Sequence, residues 1–205
     1  MQVAGQADVN AAVTAARAAF KGPWAKFTGA ERSKVMLKFA DLVEARVEEL
    51  WPLESKSVGL PVNLAKFTLK YLADTYRCES RMTLMGLTEP GLNRWLIETD
   101  YAGWTDKLSG EQYQEAGGNY KIVQYEPLGV CACIGAWNVS FGSFGLKTAP
   151  AVATGCTVIF KGSEKSPLGL LALGDLVKEA GFPPGVINII NGDGRTGSSM
   201  STLSI

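Results

Sequence analysis

Apolar positions recur at helical spacing through the first third of the chain. Val9, Val13, Ala16 and Phe20 fall at i, i+4, i+7 and i+11, which draws one apolar stripe along a helix over 8–20. Asp8 stands ahead of them, placed to accept from the first free amides. A stronger stripe of Met36, Phe39, Ala40, Val43, Val47 and Leu50 follows a T-x-x-E capping box at Thr28 and Glu31 and predicts one helix over 29–50. Pro52 then opens a short helix that Gly59 and Pro61 close, and Leu64, Phe67, Tyr71 and Leu72 predict another over 62–76. Neither helical nor strand period persists across 77–100, where Pro90-Gly91 interrupts, and no element is predicted there.

From residue 119 the spacing changes to that of strands. YKIVQYEP and GVCACIGA read as successive strands, and CTVIF and GVINII as two more. Between them lie helical stretches at 142–154, ending at Gly155, and at 167–180. The second has Ser166 at the N-cap, Pro167 at N1, a stripe of Leu173, Leu176, Val177 and Ala180, and Gly181 ahead of Pro183-Pro184. The order β(129–135), α(142–154), β(156–160), α(167–180), β(186–190) and a glycine-rich loop is a βαβαβ run, which requires a parallel sheet with right-handed crossovers. The expected fold is therefore α/β: a mainly helical part over 1–118 and a Rossmann-like part over 119–205, interlocked as one unit. Open parallel sheets take ligands beyond the carboxyl ends of their strands, which selects residues 136–140, 161–164 and 191–197 as the candidate site.

Composition narrows the chemistry. The 205 residues carry 20 Lys+Arg against 20 Asp+Glu and are 46% hydrophobic, so a soluble globular protein with a genuine core is expected and no broad basic face offers itself to nucleic acid. No apolar run reaches about 18 residues, and MQVAGQADVN has neither a basic leader nor an apolar core. The expectation is a cytoplasmic protein without a membrane span. There is no histidine, which removes triads, His-metal sites and His proton relays and leaves acid–base work to Glu, Asp, Lys, Cys or Tyr. The four cysteines include no CxxC pair, so a reducing compartment and no metal centre are expected. Cys131 and Cys133 share one strand face, and Cys156 opens a buried strand.

Three local patterns could carry chemistry. GDGRTG at 192–197 follows a strand, and its glycines would let phosphates approach free amides at a helix N-terminus. Lys161 and Glu164 flank a tight K-G-S-E turn where a cation and an acceptor could meet vicinal hydroxyls. Trp137-Asn138 offers a rigid indole and an amide donor for developing charge on a carbonyl oxygen. Each has a plainer alternative: a simple turn, a surface ion pair worth roughly 0–1 kcal/mol, and a structural asparagine.

The segments YEPLGVCACIGAWN, LKTAPAVATGCTVIFKGSEKSP and LVKEAGFPPGVINIINGDG occur in that order, and together they resemble the NAD(P)-dependent aldehyde dehydrogenase superfamily. The resemblance extends to DVNAAVTAARAAFKGPWAKFTGAERSKVMLKFADLVEARVEELWPLES and YAGWTDKLSG. It implies a partial aldehyde dehydrogenase fold, with Asn138 as the oxyanion-hole amide. Lys161 and Glu164 would hold the adenosine ribose, Gly192 and Gly194 would lie beside the adenine, and Ile134 and Trp137 would help form the cofactor cleft. The implied cofactor is NAD or NADP, the substrate a small aldehyde or other carbonyl compound, and the assembly a homo-oligomer. In the family a cysteine thiolate attacks the aldehyde, hydride passes to the nicotinamide, and a glutamate-activated water hydrolyses the thioester.

The chain also departs from the family pattern. The family's catalytic cysteine and glutamate are expected beyond STLSI, none of the four cysteines lies in the expected motif, and the beginning is short. Residues 76–100 replace a shorter helical link, the third glycine of the loop falls to Gly197 or Ser198, and Gly162 stands where proline is common. A three-stranded sheet would leave an exposed edge and an uncovered apolar face. The expectation is an aldehyde dehydrogenase-like protein whose nucleophile is not among these residues. The alternatives are a cleft repurposed for non-redox cyclisation, addition or isomerisation of a carbonyl compound through Asn138, and a non-catalytic partner of a longer relative.

Overall fold

A computed structural model describes residues 3–77, 101–114 and 117–202; of the stretch left unassigned from sequence, residues 78–100 lie outside the described residues. Its helices are α1 (Gln6–Lys21), α2 (Gly29–Ala45), α3 (Val47–Val58), α4 (Val62–Tyr76), the short α5 (Tyr101–Trp104), α6 (Ser140–Ala153), α7 (Pro167–Ala180) and α8 (Gly194–Ser201). The strands are β1 (Glu111–Gln114), β2 (Tyr120–Val123), β3 (Val130–Ile134), β4 (Thr157–Ser163) and β5 (Ile187–Gly192).

The predicted βαβαβ unit is present as a three-stranded parallel sheet in the order β3-β4-β5. Strand alternation divides its side chains between two layers. Val158 and Phe160 join the larger core with α2, α4, α6 and α7. Ile159 faces the other way and joins Val130, Val9, Val13, Ala16 and Met200, so α1 and α8 cover the second face. An aromatic chain runs through the larger core: Phe39 lies 4.7 Å from Tyr76 and 6.3 Å from Phe144, which meets Phe160 edge-on at 5.1 Å. Arg32 on α2 ties the layers by donating to the carbonyls of Ala153, Phe27 and Thr105 at 3.2, 2.8 and 3.0 Å.

Several sequence expectations are corrected. Asp8 is not the cap of α1: Gly5 is, and Asp8 at the third helical position accepts from the Gly5 amide at 2.8 Å. The single helix expected over 29–50 breaks at Arg46 (φ −110°, ψ 20°) into α2 and α3, so Val47 and Leu50 belong to α3. Arg46 donates its amide to both Leu42 and Val43 and its guanidinium to Glu179 on α7 at 2.5 Å, a tertiary contact that local periodicity does not encode. Pro52 lies inside α3 rather than opening a helix. YKIVQYEP is not a neighbour of β3; its first four residues form β2, paired antiparallel with β1, which no pattern predicted. Elsewhere, α1 packs on β4 and β5.

Candidate functional site

At the carboxyl end of the sheet, Ile134 and Lys161 are partners in the β3–β4 ladder, and the Gly135 amide donates to the Lys161 carbonyl at 2.9 Å. There is no room for a side chain at Gly135, because a Cβ there would stand 2.5 Å from the Phe160 ring. Lys161 is 6% exposed, and its side chain makes no hydrogen bond or ion pair with any described residue. Gly197 on α8 completes this corner: a Cβ built on it lies 3.8 Å from Ile134 Cδ1 and 3.9 Å from Lys161 Cδ. Of the two candidates for the third loop glycine, the one facing the lysine is Gly197; Ser198 is exposed.

The turn after β4 keeps Glu164 at the surface, with the Ser163 hydroxyl donating to Glu164 Oε2 at 3.2 Å and accepting from the Lys165 amide at 3.2 Å. Lys165 reaches across to the loop after β3, its ammonium 5.9 Å from the centre of the half-exposed Trp137 ring. Asn138 follows Trp137, exposed and without a hydrogen bond to any described residue. That loop is anchored at its far end, where the Ser140 hydroxyl donates to the Trp137 carbonyl at 3.4 Å and the Ser140 amide to Glu54 Oε1 at 3.3 Å. Sequence reasoning missed Glu54, which lies fully buried on α3. Its only signal was a carboxylate one turn beyond Leu50, on an apolar face.

The glycine-rich loop differs from expectation. Its helix N-terminus does not present free amides to a phosphate, because Asp193 caps α8 and accepts from Arg195 N at 2.9 Å and Thr196 N at 3.3 Å. Arg195 beside it holds the Asp193 carboxyl below its usual range, with the two amides acting in the same direction. Gly192 ends β5 opposite Ser163, and a Cβ there would collide with the Thr196 side chain at 2.2 Å. Gly194 opens α8 and faces free space. Thr196 in turn donates to the Ala4 carbonyl, and the Ala4 amide donates to Asn191, so the N-terminal segment is stitched to this loop. A hollow of about 290 Å³ between them is lined by Val3, Gly5, Arg195 and Ser199 and does not include Lys161 or Asn138.

Thus Ile134, Lys161 and Gly197 meet in one corner, Trp137 is tied to the turn bearing Glu164, and Gly192 sits in register with that turn. At Gly162, where the sequence departs from the family, a Cβ would stand 2.6 Å from Leu170 Cδ1, so a larger residue there would require that leucine to shift. The described cysteines do not join the site. Cys156 lies at the opposite end of β4, 2% exposed. A bond from Cys131 holds its thiol low, aided by Thr154 and the Gly129 and Leu128 amides, while burial opposes them. Cys131 is correspondingly pushed up.

An open parallel sheet with helices on both faces defines an α/β protein, a class that takes ligands beyond the carboxyl ends of its strands. The aldehyde dehydrogenase family model matches residues 1–89 and 97–202. An aldehyde dehydrogenase of Emericella nidulans is 39% identical over 196 residues, 95% of this chain and 35% of that protein. Human retinal dehydrogenase 2 is 38% identical over 96% of the chain and 34% of its own length. Among solved structures, the NAD+ complex of Bacillus cereus aldehyde dehydrogenase superposes with a TM-score of 0.85 at 35% identity, covering 98% of this chain and 37% of that one. The NAD-dependent enzyme of Sinorhizobium meliloti superposes with a TM-score of 0.79 at 36% identity, covering 94% and 34%. The chain belongs to the aldehyde dehydrogenase family, and it spans about a third of the length of the curated relatives it matches.

Proposed function

We propose that the corner formed by Ile134, Lys161 and Gly197, with Trp137 and Glu164 beside it, holds NAD+ or NADP+ in an enzyme that oxidises a small aldehyde to its acid. The observation that carries this reading is Lys161: its stem is buried along the strand tips, yet no described carboxylate neutralises its ammonium. A long stem packed along the strand tips with its ammonium at the open end leaves that charge available to a ligand's polar groups. The surroundings fit a dinucleotide. Lys161 donates and the exposed Glu164 accepts, as two ribose hydroxyls require, and Ile134, half exposed beside a glycine-faced helix, offers a flat apolar surface for a base. Gly194, with nothing within 4 Å of its Cβ position, leaves that approach open, while Gly192 keeps the loop tight against Thr196.

When bound, the cofactor accepts hydride from the substrate. The chain's own contribution is positioning: Lys161 and Glu164 orient the sugar, and the Asn138 amide donates to negative charge developing on the aldehyde oxygen. None of the described cysteines serves as nucleophile, since Cys131 and Cys133 lie within β3 and Cys156 is buried at the far end of the sheet. Calorimetric titration with NAD+ and with NADP+ tests the reading. Saturable binding of at least one, weakened by Lys161→Met, is expected; saturable binding of neither overturns it. A homo-oligomer is part of the same proposal, supported by the hairpin β1–β2, which projects Tyr113, Tyr120 and Ile122 into solvent, with Leu128 93% exposed beyond it. Sedimentation showing a monomer at micromolar concentration would remove that part.

A further inference from the structure

Glu54 has no exposed surface, one oxygen on the Ser140 amide and a second, Oε2, with no hydrogen-bond partner among the described residues. Stability alone does not favour such a group, since an apolar side chain of similar volume would avoid the cost of burying a carboxyl and of leaving an oxygen unpaired. Its place in the fold gives it another purpose. Ser140 is the first residue of α6 and follows the Trp137-Asn138 loop directly. The unpaired Oε2 approaches the first turn of α7, 3.1 Å from where a Cβ on Gly169 would stand, and α7 begins directly after the turn that bears Lys161 and Glu164. Phe141 of α6 presses into the same gap, 2.5 Å from that Cβ position. One side chain from the helical layer is thus wedged between the starts of the two helices that carry the site's two polar turns.

We infer that Glu54 is a positioning residue, holding the start of α6 and the start of α7 in fixed register so that the Asn138 loop and the Lys161–Glu164 turn face one ligand together. This rests on the cofactor reading above for the ligand's identity, but not for the mechanical link. The Lys165–Trp137 contact is the outer half of the link and Glu54 the inner half. An acceptor at Oε1 is what the Ser140 amide requires, so glutamine should serve and a length-matched apolar residue should not.

The test compares Glu54→Gln with Glu54→Met in the purified chain, by NAD+ titration of folded protein well below the melting temperature and by amide exchange of residues 137–141 and 163–166. Glu54→Met is expected to raise the Kd for NAD+ roughly five- to tenfold and to speed exchange in both segments while α2 and α4 stay protected. Glu54→Gln is expected to restore both readouts to wild type. A Glu54→Met protein that melts lower but keeps wild-type affinity and exchange in both segments overturns the inference, as does a Glu54→Gln protein no better than Glu54→Met. Should Glu54→Met not fold, Ser140→Pro removes the same bond from the donor side at a first helical position that accepts proline, and the same two readouts decide. If wild type binds no NAD+, the cofactor reading fails, and the exchange measurement still settles Glu54.

Discussion

Ile134 and Lys161 stand directly opposite each other on the last rung of the β3–β4 ladder, so the apolar wall and the cation of the site are fixed by one backbone pairing. Substituting Lys161 tests the charge without disturbing that rung. Lys161→Met keeps the stem that packs along Gly197 and removes only the ammonium. A hydrogen bond from a charged group is worth about 1.5–3 kcal/mol, so NAD(P)+ affinity should fall roughly ten- to a hundredfold. Thermal stability should hold, because the methionine keeps the buried stem and no described partner loses a bond. Calorimetry beside a melting curve checks both; an affinity unchanged by the substitution removes Lys161 from the site.

Gly197 makes the complementary prediction. Its backbone is helical and a Cβ would meet Ile134 and Lys161 at ordinary contact distances. Gly197→Ala should therefore raise stability by up to about 1 kcal/mol through helix propensity. Gly197→Leu should fold equally well but extend into the corner and abolish dinucleotide binding. Equal binding by the alanine and leucine variants would show that the ligand does not pass over α8.

Gly169 reports on the packing beneath the site. Alanine in a helix normally stabilises relative to glycine, but here the added methyl would meet Phe141 at 2.5 Å and Glu54 at 3.1 Å. Gly169→Ala should reverse the usual sign and lower stability by about 1–3 kcal/mol, the cost of overpacking. A denaturant midpoint equal to or above wild type would mean that α6 and α7 can separate freely.

Elements punctuated by their own residues were legible in the sequence, and those set by distant contacts were not. Helix α7 spans the predicted 167–180 because Pro167 starts it and Gly181, with φ 98°, ends it locally. At the break, Arg46 pairs with Glu179, 133 residues away, and apolar spacing runs through the break unmarked. Strand β1 was invisible because EQYQ is exposed on both faces, leaving no alternation to read. Strand order selected residues 161–164 at the sheet's carboxyl end, where Lys161 lies, whereas Ile134, its partner across the ladder, came only from the family resemblance. The loop amides were misread because Asp193 was taken as part of a glycine pattern when its side chain is a helix cap. Glu54 could not be found from sequence: the bond that explains it spans 86 residues.

Arg32 tests how firmly the helical layer is joined to the sheet. Its guanidinium donates to three carbonyls, two of them, on Ala153 and Thr105, far away in sequence. Arg32→Met would keep the stem and leave these acceptors unserved in partly buried surroundings, at about 1–3 kcal/mol for a group left unsatisfied. Arg32→Lys should recover little, because one ammonium cannot reproduce a planar fork reaching three directions. Chemical denaturation of the two variants should give similar losses; a lysine variant at wild-type stability would show that charge, rather than geometry, is what matters.

The pH dependence of stability isolates Glu54. Burial pushes its carboxyl above the usual carboxylate range, near 4.5 in the unfolded chain, while the Ser140 hydroxyl and amide oppose the shift. The folded protein therefore binds this proton more tightly than the unfolded chain, and stability falls with rising pH wherever the unfolded chain has released it first. The contribution is fully present below pH 4.5, declines as the pH climbs from there to the raised folded value, and is level beyond. Glu31, Glu48 and Asp193, whose carboxyls are held low by Thr28, Lys66 and Arg195, act in the opposite direction and lose stability on acidification. They are common to wild type and Glu54→Gln, so the difference in melting temperature between the two proteins removes them. That difference, variant minus wild type, should be smallest in acid, widen as the pH rises past 4.5, and then stay constant. A gap that widens toward acid instead would mean that the carboxylate form of Glu54 is the one the fold stabilises, held by the N-termini of α6 and α7.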